Sequence, residues 1–478
     1  MANPYTITSS DGIDRFDHEV DVVVVGLGAA GGSAALEARL AGADVLVLER
    51  ASGGGGLTAS AAGHLYLGGG TRVQKAVGVE DSVEAMLAYL LAVTPEPDEE
   101  KIRRYCEDSV SHFDWLVSQG VPFQDTMFHG KHVVQMTDEC LIESGNEEVW
   151  PYRERARPAP RGHKVAMEGE AGGAKLMQML VRRVEELGVG IECDAWVQAL
   201  LRDGSGRIVG VRYRHFEEPK TVRARRGVIL ATGHFGMNAE MLGRHCPRLA
   251  DERVTKQGGT FDDGAGIQLG VAAGGRADHM DGALVTSPFY PPEGLLRGIL
   301  VNAEGQRFVS EDSYHARSSA ACMDQPGGRA YLIVDEGCFE RPLFGWQELI
   351  DAWEDLGELE QGLGLPKGSV QRTLARYNEH AAKGEDPDFH KGAKWLQPLD
   401  RAPFAAFDLS LGSAQYVGFP LGGLRTSLDG EVVDAQGAPI SGLFAAGGCA
   451  SNIAQDGAGY SSGTCIGEAT YFGRRAGR

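Results

Sequence analysis

Asp21-Val22-Val23-Val24-Val25-Gly26-Leu27-Gly28-Ala29-Ala30-Gly31 decides the fold. The valine run reads as a strand buried on both faces, as in a parallel sheet. Gly26 permits the tight turn out of it, Gly28 lets backbone approach a pyrophosphate, and Gly31 lets the next helix pack close to the strand. Phosphates at that helix N-terminus would meet unpaired N–H groups and the positive end of the dipole. The next apolar run, Asp44 to Leu48, closes on Glu49. This acid stands near the roughly 20-residue spacing at which a carboxylate accepts hydrogen bonds from an adenosine ribose. Strand, glycine turn, helix and acid together predict a dinucleotide site.

The chain has 478 residues, too many for one ordinary core, so roughly two to three domains are expected. Its net charge of −20 argues against nucleic-acid binding and against an anionic membrane surface. The eight cysteines are scattered with no Cys-x-x-Cys pair, so neither a zinc site nor a disulfide framework is expected. Reduced thiols fit a cytoplasmic protein. Residues 1–16 lack a charged-then-apolar signal pattern, and no apolar run reaches the ~18 residues of a membrane span.

Amphipathic helices are expected over Glu80–Ala92, Asp98–Gln119 and Gly172–Leu187, and strands over Ile191–Leu201, Ile208–Tyr213, Thr221–Arg225 and Gly227–Gly233. Residues 123–162 read as irregular surface loop with no function attached. A hairpin, Ile299–Asn302 with Gln306–Val309, opens a stretch of different character. A strand at Tyr331–Asp335 and a helix at Ser369–Lys383 follow, and glycine-rich strand ends return near 391. The expected class is α/β: a Rossmann-like nucleotide-binding domain in two parts, 17–277 and 392–478, interrupted by an inserted α+β cap at 278–391.

A nicotinamide enzyme needs one phosphate-binding strand end, whereas this chain has similar glycine turns after Val25, Leu230 and Ala446. It adds the run Ser52 to Gly63, with little side-chain bulk and many N–H donors. Such surfaces suit a long, extended cofactor carrying phosphates and a flat ring.

Those residues resemble the flavoprotein family of fumarate reductase flavoprotein subunits and 3-ketosteroid dehydrogenases. The likeness continues through Asp262-Asp263-Gly264, Val301–Glu311, Arg376-Tyr377-Asn378 and Leu443–Gly447. It implies FAD, bound non-covalently between the Rossmann-like domain and the cap. Its expected contacts are Gly26, Gly28, Ala29, Ala30, Gly31, Glu49, Arg50, Gly54, Thr58, Ala59, Ser60 and Gly63. Val197, Ala231, Thr232, Gly233, Asp263, Gly447, Ser461, Gly463, Thr464 and Ile466 complete the set. Enzymes of this family move a hydride between flavin and a carbon β to a carbonyl, and a proton at the α carbon.

Two branches treat that carbonyl differently. Dicarboxylate reductases clamp their substrate with Arg and His. Here Tyr314-His315 stands where the proton-donating Arg belongs, Arg317 falls two positions late, and no histidine follows Gly448. The ending Gly459-Tyr460-Ser461-Ser462-Gly463 instead resembles ketosteroid dehydrogenases, and with Tyr314 it best matches the type that introduces a C4–C5 double bond into 5α-3-ketosteroids. By that resemblance Tyr460 stabilises the enolate oxygen, Ser462 takes the C4 proton and Tyr314 relays it. A one-residue shift would hand the relay to His315. The implied partners are a small apolar steroid ketone and an unidentified electron acceptor. Leu284, Val285, Phe289, Tyr290, Leu295, Leu296, Tyr416, Phe419 and Leu421 would line the pocket or form the cap's core. Alternatives left open are Δ1 dehydrogenation, reduction of another enone or enoate, and a flavin-binding sensor without turnover. His64 and His234 read as structural or exposed, and no metal-ligand spacing is present.

Overall fold

The computed structural model describes residues 5–131, 135–286, 292–342 and 345–478. Its largest element is a nine-stranded sheet. The strand His18–Val25 lies parallel to Val45–Leu48 on one side and to Glu218–Leu230 on the other. Pro439–Ala445 runs parallel to the last residues of Glu218–Leu230. The valines are buried because helices cover this layer. Ala29–Leu40 is mostly Ala, Gly and Ser, and it packs against the final helix Thr464–Ala476. The contact is close: a Cβ at Gly473 would lie 2.3 Å from the Ala30 carbonyl oxygen. Helices at this separation require glycine or alanine on both faces.

Glu218–Leu230 serves two layers. Its first half joins an antiparallel meander with Ile208–His215 and Ala195–Arg202, and its second half joins the parallel layer. A register shift between Ala224 and Gly227 makes the change. The two strands expected on either side of Gly227 are therefore one bulged strand. The opposite correction applies to Ile191–Leu201, which is two strands. Gly190–Glu192 pairs with Val45–Leu48, Ala195–Arg202 pairs with the meander, and Asp194 turns the chain between them at φ +54°. Thr6–Ser9, where the sequence suggested no element, adds an edge strand beside Ala199–Arg202.

A separate four-stranded antiparallel sheet runs in the order Ile299–Asn302, Ala330–Asp335, Phe404–Asp408, Glu348–Trp353. Its last-contributed strand lies past residue 391. The expected hairpin is only a turn: Val301 bridges Arg307, and Ile299–Asn302 pairs instead with Ala330–Asp335. The reason is ionic. Arg307 turns inward to Glu311 at 2.8 Å and Asp386 at 2.9 Å, and Lys391 lies 3.4 Å from Glu311. The guanidinium sits between the rings of Tyr377 and Phe389. Asn378 holds Leu399 through both backbone groups. The Val301–Glu311 and Arg376–Asn378 motifs thus build this part of the fold.

The expected loop 123–162 contains the short strand Leu141–Ile142 and the helical turn Tyr152–Arg155. Leu141–Ile142 forms a three-stranded sheet with Gly162–Lys164 and His64–Tyr66. No helix among the described residues is long and apolar enough to cross a membrane.

Candidate active site

Three glycine turns leave one edge of the parallel layer side by side, because Leu230 is in register with both Val25 and Ala445. At Gly26, φ is +102° and a Cβ would lie 2.4 Å from the Ala231 carbonyl oxygen. At Gly31 a Cβ would lie 1.9 Å from the Gly26 carbonyl oxygen. Gly28 differs: a Cβ there meets nothing nearer than Gly56 Cα at 4.0 Å. Two glycines close the turn, and the middle one leaves space over a helix that begins without a side-chain cap. That is the arrangement a pyrophosphate needs.

Glu49 receives the Leu27 N–H at 2.6 Å on one oxygen and the Ala51 N–H at 2.7 Å on the other. Burial raises its pKa, and those amides oppose the rise. Each carboxylate oxygen retains acceptor capacity for ribose hydroxyls. The run after Glu49 winds through Gly55 and Gly56 into the 3₁₀ turn Leu57–Ser60, which carries Thr58, Ala59 and Ser60. Gly63 abuts Gly172. Thr232 accepts the Gly266 N–H, and Gly233 meets Asp262. Gly447 approaches Ala30. Val197 is buried in its strand. Arg50 and Asp263 are paired at 2.7 Å, with Tyr5 donating to the same carboxylate at 2.8 Å. Gly463 caps the last helix at φ +97°, next to Thr464 and Ile466.

The reactive hydroxyls expected from sequence converge. Tyr314 Oη and Ser462 Oγ are 2.7 Å apart. The rings of Tyr314 and Tyr460 are 6.2 Å apart, and Tyr460 Oη accepts the Cys465 N–H at 3.3 Å. The tyrosines share an apolar cluster with Leu284, Ala316, Leu421 and Ala454, with Phe419 and Cys465 packed against it. Burial holds the Tyr460 phenol well above its usual pKa, so it is a neutral donor at every working pH.

Of the proposed lining residues, Leu284, Phe419 and Leu421 belong to this cluster. Val285, Leu295, Leu296 and Tyr416 belong to the main core instead. Phe289 and Tyr290 lie outside the described residues. The division follows strand parity. Leu284 is the cross-strand partner of Phe419, whereas Val285 pairs with Gly418 on the opposite face.

The Arg317 guanidinium points elsewhere. Arg317 donates to the Trp150 carbonyl at 3.0 Å and lies over the Tyr152 ring. His315 is buried, bonded to the Thr286 hydroxyl, and pushed by burial well below the usual imidazole pKa, so it is neutral. His64 and His234 are both buried, so the exposed reading of them does not hold. His234 accepts the Gly236 N–H at 3.0 Å and stacks on Phe419.

Sequence reading missed Tyr89 and the turn Ser144-Gly145-Asn146. Tyr89 Oη is 2.9 Å from Ser461 Oγ, and the Ser144 carbonyl accepts the Ser462 N–H at 2.7 Å. The one available signal was a glycine between two polar residues inside an otherwise unassigned segment.

The model of the FAD binding domain family matches residues 21–465. The chain is 30% identical to the 3-oxo-5-alpha-steroid 4-dehydrogenase of Comamonas testosteroni, over 89% of this chain and 92% of that protein. It is similar to the crystal structure of 3-ketosteroid-delta4-(5alpha)-dehydrogenase from Rhodococcus jostii RHA1 in complex with 4-androstene-3,17-dione. The TM-score is 0.92 at 44% identity, with 99% of each chain covered. The fold also matches 3-ketosteroid delta1-dehydrogenase from Sterolibacterium denitrificans, with TM-score 0.73 at 21% identity over 96% of this chain and 99% of that one. The family match over most of the sequence and these similarities show that the chain belongs to the FAD binding domain family and is a flavoprotein oxidoreductase whose cofactor is FAD.

Proposed function

We propose that this protein oxidises a 5α-3-ketosteroid to the corresponding C4–C5 unsaturated ketone. The carrying observation is the Tyr314–Ser462 hydroxyl pair beside Tyr460 in an apolar cluster. The relatives in Comamonas and Rhodococcus, whose names specify this reaction, support it.

Tyr460 donates a hydrogen bond to the C3 oxygen as the enolate develops. A neutral buried phenol suits this, because it gains most when negative charge appears. Ser462 accepts the C4 proton, and Tyr314, already bonded to it, carries that proton onward. A serine alone is a poor base, so the pair acts as a unit. Leu284, Leu421 and Phe419 cover the apolar rings and exclude water. Bound FAD supplies the acceptor for the C5 hydride. The glycine turns, Glu49 and the other expected FAD contacts would hold it through backbone N–H groups and the ribose hydroxyls. In the same proposal the FAD-binding parts flank a cap that extends from 278 past 391, to the end of Phe404–Asp408.

The test is anaerobic titration with 5α-androstane-3,17-dione while flavin absorbance is followed. Bleaching is expected, with a 4-ene-3-one as product. Absence of bleaching, or a 1-ene product, would overturn the proposal.

A further inference from the structure

The segment 123–162 carried no function in the sequence, yet three consecutive residues in it touch both halves of the reactive hydroxyl pair. Tyr314 comes from one stretch of chain and Ser462 from another, far away in sequence. Their 2.7 Å contact needs something that fixes one against the other. Asn146 is fully buried, and its side-chain oxygen accepts the Tyr314 N–H at 2.8 Å. Its side-chain nitrogen donates to the Ala458 carbonyl at 3.3 Å, on the loop that leads to Tyr460 and Ser462. Its backbone N–H donates to Tyr89 Oη at 2.9 Å, and Tyr89 in turn holds Ser461. Two residues earlier, the Ser144 carbonyl accepts the Ser462 N–H at 2.7 Å. Between them Gly145 admits no side chain, because a Cβ would lie 2.1 Å from Ser461 Oγ and 2.7 Å from Tyr89 Oη.

We propose that Ser144-Gly145-Asn146 is a positioning clamp that sets the Tyr314–Ser462 distance, with Asn146 as its central positioning residue. The inference rests on the proposed reaction for its kinetic meaning, but the geometric claim stands apart from it. One amide side chain grips the Tyr314 loop with its oxygen and the Tyr460–Ser462 loop with its nitrogen. A backbone carbonyl grips Ser462 directly. A shift of about 1 Å between such groups costs on the order of 10²-fold in rate.

The experiment uses the FAD-loaded enzyme and four variants. In Asn146→Ala, a crystal structure should show the Tyr314 and Ser462 hydroxyls beyond hydrogen-bond distance. Reduction by 5α-androstane-3,17-dione should slow roughly 10- to 100-fold, with FAD content and steroid affinity near wild type. The deuterium isotope effect at C4 should grow, because proton removal becomes limiting. Gly145→Ala displaces Ser461 without deleting a polar group, so it should slow reduction in the same sense if Asn146→Ala fails to fold. Asn146→Asp tests the amide itself. Its protonated carboxyl presents one acceptor and one donor as asparagine does, so reduction should recover at acidic pH and fall as that carboxyl ionises. A purely structural asparagine would give no such added limb in the pH profile. An unchanged hydroxyl separation in Asn146→Ala, or wild-type reduction rates beside a slow Ser462→Ala, would overturn the clamp. If the wild-type protein is not bleached, the proposed reaction falls instead, and the hydroxyl separation still decides the clamp.

Discussion

Two buried polar clusters grow from one short stretch of chain, and they use opposite chemistry. Arg307 and Glu311 anchor a fully charged network with Asp386 and Lys391. Tyr314, a few residues on, anchors an uncharged group of hydroxyls with Ser462 and Tyr460. In the first, opposite charges satisfy one another, and the guanidinium pulls Glu311 and Asp386 below the usual carboxylate range. Nothing is left over for a ligand. In the second, each hydroxyl can both donate and accept, and the apolar surroundings strengthen whatever hydrogen bond a substrate completes. Charge holds the architecture, and the proposed reaction is given to neutral groups.

The sharpest break of this contrast is Arg307→Ala. It takes the guanidinium from two buried carboxylates, of which Glu311 keeps Lys391, so unfolding stability should fall by about 3–5 kcal/mol in denaturant titrations. Protein that still folds should be reduced by steroid at close to the wild-type rate. A large loss of reduction rate at full stability would show that the ionic cluster belongs to the site. Next is Tyr460→Phe, which removes the enolate donor and keeps the ring. Flavin reduction should slow by about 10²–10³-fold with FAD retained and stability little changed. Unimpaired reduction would take the oxyanion role from Tyr460.

Acid should separate the clusters from the rest of the core. Burial depresses His64, His163 and His234 to about 4 and His112 to about 3. The unfolded chain takes up protons near 6.5 while these folded imidazoles stay neutral. Their stabilisation is therefore complete above about pH 6.5 and is lost as pH falls towards 4. Glu468 and Glu143, raised to about 7, and Asp262, raised to about 6, act in the reverse sense, stabilising below their unfolded values and less as pH rises through the folded ones. The buried histidines, with His315 likewise depressed, carry the larger total shift, so the urea midpoint should drop between pH 6.5 and 4. The two depressed carboxylates add their own loss only below about 4. A flat midpoint down to pH 4 would contradict the buried, neutral histidines. The smallest effect is expected at Arg317→Ala, since that guanidinium faces Trp150 and Tyr152. Reduction should change less than about threefold, well under the loss given by a reactive-group deletion. A hundredfold loss would restore a cationic grip on the substrate.

Legibility followed the range of the interactions. The glycine turn after Val25 is set by local backbone geometry and has the expected form, and Glu49, expected from its spacing alone, is held by the Leu27 and Ala51 amides. The meeting of Tyr314, Tyr460 and Ser462 was anticipated through family resemblance, and its distances are new. The division of the apolar candidates was hidden, because Leu284 and Val285 are alike in a sequence where both strand faces are apolar. Pairing of Leu284 with Phe419 settles which face meets the tyrosines. The clamp at Ser144–Asn146 was hidden for a related reason, as every partner it holds is remote in the chain.

By itself, then, the sequence determined the glycine turn after Val25 and the parallel layer. Each depends on residue type within a few positions: positive φ at glycine and continuous β-branched runs. Tertiary structure alone decided that Arg307 turns inward, that one strand serves two layers, and that Asn146 joins two loops. Those outcomes depend on which distant groups can neutralise a buried charge or satisfy a buried N–H, and only the packed chain brings such groups within reach.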